Sequence, residues 1–175
     1  MDKTKIIINK TTSSRLKEVD FDSIQFGREF SDHMFMADYT NGEWNNFEIL
    51  PFQDLKFNPA FNSRHYGQSV FEGMKAHYGE DGEIVLFRPL ENFQRLNRSC
   101  ERLCMPGIDP EIMLEGLSKL VNIDKEWIPK TTDGALYIRP FIFATDQYIG
   151  VTASETYKMI IFTCPVGKYY DKAVK

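Results

Sequence analysis

The run Met159-Ile160-Ile161-Phe162-Thr163-Cys164 constrains this 175-residue chain most. It is too short for a stable helix, rich in β-branched and aromatic residues, and lacks the alternation of a half-exposed strand. Such a run suits a strand buried on both faces, so whatever sheet it joins needs cover above and below. Residues 136–144 form a second apolar strand, broken by Arg139-Pro140. Pro140 cannot donate to a ladder, which predicts an edge or a bulge at that point. Arg139 needs a partner if buried. A ligand anion and an ion pair within the domain both remain open.

The other elements read in order. Met34 to Tyr39 is an apolar strand, Asn41-Gly42 tolerates the positive φ of a tight hairpin, and residues 44–51 return. Ile6-Ile7-Ile8 is an arm that either pairs at an edge or stays loose. Val70, Phe71 and Met74 fall at helical spacing, so residues 66–77 read as a helix despite Gly67 and Gly73. Residues 84–87 form a short strand. Pro89 opens a helix whose apolar stripe is Phe93, Leu96, Cys100 and Leu103, ended by Pro106-Gly107. Asp109-Pro110 caps and opens another, with Met113, Leu117, Leu120 and Val121 as its stripe, ending near Asp124. Strands, then helices, then strands predict an α+β fold: a mainly antiparallel sheet with helices packed on it.

Length fits one domain. A formal charge of −4 and a pI near 5.4 argue against broad nucleic-acid binding. No apolar run is long enough for a membrane span, and the N-terminal apolar run is too short for a signal peptide, so cytoplasm is the default location. Cys100, Cys104 and Cys164 read as buried small hydrophobes in a reducing compartment. His33, His65 and His77 do not cluster in sequence, and no metal site is expected. Nucleotide-binding glycine motifs, the G-x-S-x-G elbow and H-E-x-x-H are absent.

Three features could carry chemistry. Arg95, Arg98 and Arg102 share the face of their helix opposite the apolar stripe. They suit either an anion clamp or a solvated face paired with Glu91 and Glu101. Phe26, Tyr66, Phe71 and Tyr137 could line an apolar pocket with phenol handles, or simply pack in the core. The segment Asp146 to Val151 reads as an exposed loop with an apolar tip.

The segment from Arg64 to Ala76, with His65-Tyr66-Gly67, Ser69 and Phe71-Glu72-Gly73, resembles the signature of fold-type IV pyridoxal-phosphate enzymes, above all branched-chain amino-acid aminotransferases. Phe87-Arg88-Pro89 with Asn92 and Arg95 is similar to a further family motif, as are Tyr137-Ile138-Arg139-Pro140 and Cys164-Pro165-Val166-Gly167. Phe26-Gly27 to Met36 is similar to a longer-armed branch of that family. The resemblance implies the small N-terminal domain of the fold-type IV architecture over residues 1–167, with residues 1–20 as an arm and 168–175 opening a linker to a C-terminal domain. It implies pyridoxal 5′-phosphate as cofactor, with Arg95 on its phosphate. Phe26, Tyr66, Phe71 and Tyr137 would wall the substrate side chain, and Tyr137 with Arg139 would meet its carboxylate. Ile149 and Val151 would reach across a homodimer. The implied substrates are leucine, isoleucine or valine and 2-oxo acids, 2-oxoglutarate among them. The family's Schiff-base lysine, in a K-x-x-G-N-Y context of the second domain, has no counterpart in the sequence, so the chain alone is expected to be inactive. A D-amino-acid aminotransferase, an aminodeoxychorismate lyase and a non-catalytic binding domain are the alternatives.

Overall fold

A computed structural model describes residues 5–131 and 133–167. Eight strands form one sheet: β1 (Ile7–Ile8), β2 (His33–Thr40), β3 (Glu43–Pro51), β4 (Ser69–Phe71), β5 (Met74–Tyr78), β6 (Ile84–Leu86), β7 (Ala135–Ala144) and β8 (Tyr157–Val166). Among the described residues three α-helices accompany them: α1 (Asn62–Tyr66), α2 (Pro89–Arg102) and α3 (Pro110–Ile123). The spatial order is β1-β3-β2-β8-β7-β5-β6, with β4 also paired to β7. Every pairing is antiparallel except β1 with β3, where the N-terminal arm adds a short parallel edge and buries Ile6 in the core. This is the α+β architecture that the element order implies. Residues 168–175, the expected linker, lie outside the described residues.

The apolar run of residues 159–164 lies within β8, between β2 and β7, and is covered on both faces. On one face Phe35, Leu136, Ile138, Ile142, Met159 and Ile161 pack with Phe93 and Leu96 of α2 and Met113, Leu117 and Leu120 of α3. The helices are amphipathic because these residues recur every three or four positions. Gly116 brings α3 against β2, where any Cβ would stand 2.6 Å from the Phe35 ring. The other face is covered by loop aromatics: Phe30 and Phe52 stack with centroids 4.9 Å apart, and both meet Phe162.

Asn41 (φ 56°) and Gly42 (φ 85°) make the hairpin turn between β2 and β3. Asp109 caps α3 by accepting the Glu111 N–H at 2.9 Å. Replacing Asp109 with Ala is expected to lower stability by about 1 kcal/mol, since the cap satisfies an orphan helix donor. A urea midpoint shift with unchanged slope is the signature, and no shift would show the cap to be dispensable.

The expected helix over residues 66–77 does not form. Helix α1 stops at Gly67, whose φ of 69° gives a left-handed cap, and the chain then runs through β4 and β5. Val70, Glu72, Met74 and Ala76 are buried while Phe71, Lys75 and His77 are exposed, a period of two that the helical spacing of three apolar residues masked. Cys104 is also corrected: Cys100 and Cys164 are buried, but Cys104 is exposed at φ 54° just past α2. All three thiols are free, and burial pushes the Cys100 thiol up to about 11, which leaves it unreactive at neutral pH.

Candidate active site

Alternation along β7 and β8 builds the site. Tyr137, Arg139 and Phe141 of β7 face away from the helices, opposite Cys164, Phe162 and Ile160 of β8. The loop carrying Phe26, Gly27 and Phe30 closes over them, and Ser69 and Phe71 of β4 supply a further wall. The result is an open cavity of about 360 Å³ with mainly apolar walls. Four expected site residues, Phe26, Phe71, Tyr137 and Arg139, meet in it.

Arg139 is the only cation among the described residues on its wall. Its Nη2 donates to the Tyr137 hydroxyl at 2.8 Å, and its guanidinium lies 4.3 Å from the Phe71 ring centroid. Phe26 meets the Tyr137 ring edge-on at 5.2 Å. Among the described residues no carboxylate pairs with Arg139. A guanidinium held by a phenol and a π face keeps its charge available to an anion. Pro140 places that arginine. Glu72 donates its N–H to the Pro140 carbonyl at 2.9 Å, but proline has no N–H to return, and the ladder is interrupted there between β4 and β5. The expected edge or bulge is thus a missing rung in an interior strand. Gly73 lies in the interruption, and the Tyr137 phenol leans over it.

Arg95 is not part of that cavity wall. It lies on α2, with its side chain 60 % exposed. Its Nε and Nη2 donate to the Glu72 carboxylate at 2.6 and 2.7 Å. Glu72 is buried and also accepts from Asn92 Nδ2 at 3.1 Å. Burial raises the Glu72 pKa, but the bonds from Arg95, Asn92 and the Gly73 N–H outweigh it and hold the carboxyl below its ordinary value. The stabilisation is therefore present above the ordinary carboxylate range and lost as acid protonates Glu72. Arg95 thus pairs with neither Glu91 nor Glu101. Glu91 pairs with Arg88 at 2.7 Å, and Arg98 and Arg102 are exposed.

Tyr66 and Val151 line a separate recess beside Gln68 and Leu103. Ile149 and Val151 are 67 % and 89 % exposed on the loop between β7 and β8. The Asp146 carboxylate pins the base of that loop by accepting the N–H groups of Glu155 and Thr156 at 2.8 and 3.0 Å. Sequence reading missed Glu72, whose partner lies on a helix 23 residues away. It also missed Phe141, Phe162 and Cys164, although alternation along β7 would have put Phe141 beside Arg139.

No family model matches the chain. Known proteins do. Branched-chain-amino-acid aminotransferase 2 of Bacillus subtilis is 50 % identical over 165 residues, covering 94 % of this chain and 46 % of that protein. Branched-chain-amino-acid transaminase 1 of the same organism is 46 % identical over 167 residues, covering 95 % of this chain and 47 % of that protein. Over the half-length it spans, the chain belongs to the branched-chain aminotransferase family. The crystal structure of the Escherichia coli branched-chain amino acid aminotransferase agrees in fold, with a TM-score of 0.59 at 27 % identity over 77 % of this chain and 41 % of that one. The α+β architecture is accordingly that of fold-type IV aminotransferases. The chain spans about half the length of the curated relatives it matches.

No helix among the described residues is long and apolar enough to cross a membrane, and none of their His, Cys, Asp and Glu side chains form a group of three able to hold a metal ion. The side chains fit a phosphorylated cofactor. Glu72 takes the Nε–Nη2 edge of Arg95, and the Nη1–Nη2 edge of the same planar fork is left for a phosphate.

Proposed function

We propose that this chain is the small N-terminal domain of a pyridoxal-phosphate-dependent aminotransferase that moves the amino group between leucine, isoleucine or valine and 2-oxoglutarate. One observation carries the reading: a guanidinium with no carboxylate partner among the described residues, Arg139, stands in the wall of an otherwise apolar cavity with Phe26, Phe71 and Tyr137. That is the complement of an aliphatic acid. The aromatic walls exclude water from a branched side chain, each buried methylene contributing about 0.8 kcal/mol. Arg139, with the Tyr137 hydroxyl, meets the carboxylate. Arg95 would hold the cofactor phosphate. Pyridoxal 5′-phosphate, when bound, supplies the electron sink that amino-group exchange requires. On this reading the lysine that binds it covalently comes from a second, C-terminal domain. The exposed Ile149 and Val151, on a loop fixed at its base, reach toward the cavity of a second copy in a homodimer, where Tyr66 adds to the wall.

The test is incubation of the 175-residue chain with pyridoxal 5′-phosphate, borohydride reduction and peptide mapping. Sparse labelling scattered over many lysines is expected, with no transamination of leucine. One stoichiometric adduct on a single lysine would show that the chain carries its own cofactor lysine and would overturn the two-domain reading.

A further inference from the structure

Arg95 reaches solvent from a helix, and a free arginine there would carry about 2 kcal/mol of rotamer entropy to be lost on binding an anion. The structure does not leave it free. Glu72 is 6 % exposed, an unusual place for a carboxylate, and its surroundings fix it on every side. Asn92 Nδ2 holds Oε2 at 3.1 Å and also reaches the Gly73 carbonyl. The Glu72 main chain is tied to Pro140. Both oxygens of this fixed carboxylate face one edge of the guanidinium, so the plane and direction of the fork are set before any ligand arrives. Among the described residues nothing else takes the remaining N–H groups of Arg95.

We propose that Glu72 is a positioning residue for phosphate recognition: it grips the Nε–Nη2 edge of Arg95 and thereby presents the Nη1–Nη2 edge to a phosphate monoester. This rests on the reading of Arg95 as the phosphate contact. The rival physical picture is that Glu72 neutralises Arg95 and weakens its hold on anions. The two differ in sign. A positioning carboxylate strengthens phosphate recognition, whereas a neutralising one weakens it.

The readout is phosphate selectivity: the Kd of the 175-residue chain for pyridoxal divided by its Kd for pyridoxal 5′-phosphate, measured alongside thermal stability. Arg95→Ala is expected to bring the ratio close to one. If it leaves the ratio unchanged, the phosphate reading of Arg95 fails, and this proposal with it. With that control in place, Glu72→Gln, which keeps the shape but offers one acceptor instead of two, is expected to lower the ratio about five-fold, with Glu72→Ala lower still. An unchanged ratio would make Glu72 merely structural, and a raised ratio would make it a neutraliser; either overturns the proposal. Should the variants fail to fold, the unmodified chain decides. On titration with pyridoxal 5′-phosphate the Arg95 Nε–Hε resonance is expected to keep its Glu72-bonded shift while the Nη groups respond. Its collapse to the free-guanidinium position would show phosphate displacing Glu72, and the proposal would be wrong.

Discussion

Replacing Asp124 with Ala is expected to destabilise the chain by about 2–4 kcal/mol, the cost of leaving two buried N–H donors without their acceptor. Asp124 follows α3 and is 2 % exposed. Its two oxygens accept from the same residue: Oδ1 from the His33 ring at 2.6 Å and Oδ2 from the His33 main-chain N–H at 3.0 Å. The ring's other nitrogen, Nε2, accepts the Thr11 N–H at 2.9 Å. That fixes the tautomer, since a nitrogen that accepts carries no proton and Nδ1 must donate. Alanine would strand the ring N–H and the start of β2 without acceptors. It would also loosen the arm, which Asp32 holds next door through Ser14 and Arg15. At about 2–4 °C per kcal/mol for a chain of this size, melting should fall by roughly 10 °C. Asp124→Asn, which keeps one acceptor, should fall between the two. A loss under about 1 kcal/mol would mean that water replaces the carboxylate at little cost.

Gly73→Ala is expected to empty the cavity of its function while leaving the fold. A Cβ at Gly73 would lie 3.1 Å from Cζ and 3.3 Å from Cε2 of Tyr137, well inside ordinary contact. The phenol is the mobile partner, so the ring swings away and overpacking costs about 1–3 kcal/mol. Its hydroxyl then leaves Arg139 Nη2, and its edge leaves Phe26. Under the proposed function, affinity for a branched aliphatic carboxylate such as 4-methylpentanoate should fall at least tenfold, about 1.4 kcal/mol. Titration followed on the Tyr137 ring resonances measures it. Unchanged affinity would remove Tyr137 from the recognition of this ligand.

The sequence disclosed the elements whose signals are local. The Asn41-Gly42 hairpin, the two helices opened by Pro89 and Pro110, and the buried run of residues 159–164 all stand where their residue patterns put them. It misled where two periods overlapped: Val70, Phe71 and Met74 satisfy a helix, and only the burial of Glu72 and exposure of Phe71 reveal a strand. The site was legible in part. Phe26, Phe71, Tyr137 and Arg139 converge, but β4 and β7 are brought together by topology, and no spacing rule announces that. Tyr66 and Val151 lie in a second recess for the same reason. Glu72 escaped notice because a buried carboxylate is legible only once its cation is known.

Pro140 has a consequence for how the chain reaches this arrangement. The pairings of β4 and β5 with β7 follow one continuous register, Phe71 with Phe141 and Met74 with Ile138. Without the proline, residues 69–78 could zip against β7 as a single ribbon. A slipped alignment would then differ little in its hydrogen bonds. With it, the ladder breaks opposite Pro140 and the ribbon is divided into β4 and β5. At that break adjacent residues serve opposite faces of the sheet, Glu72 toward Arg95 and Gly73 beneath Tyr137.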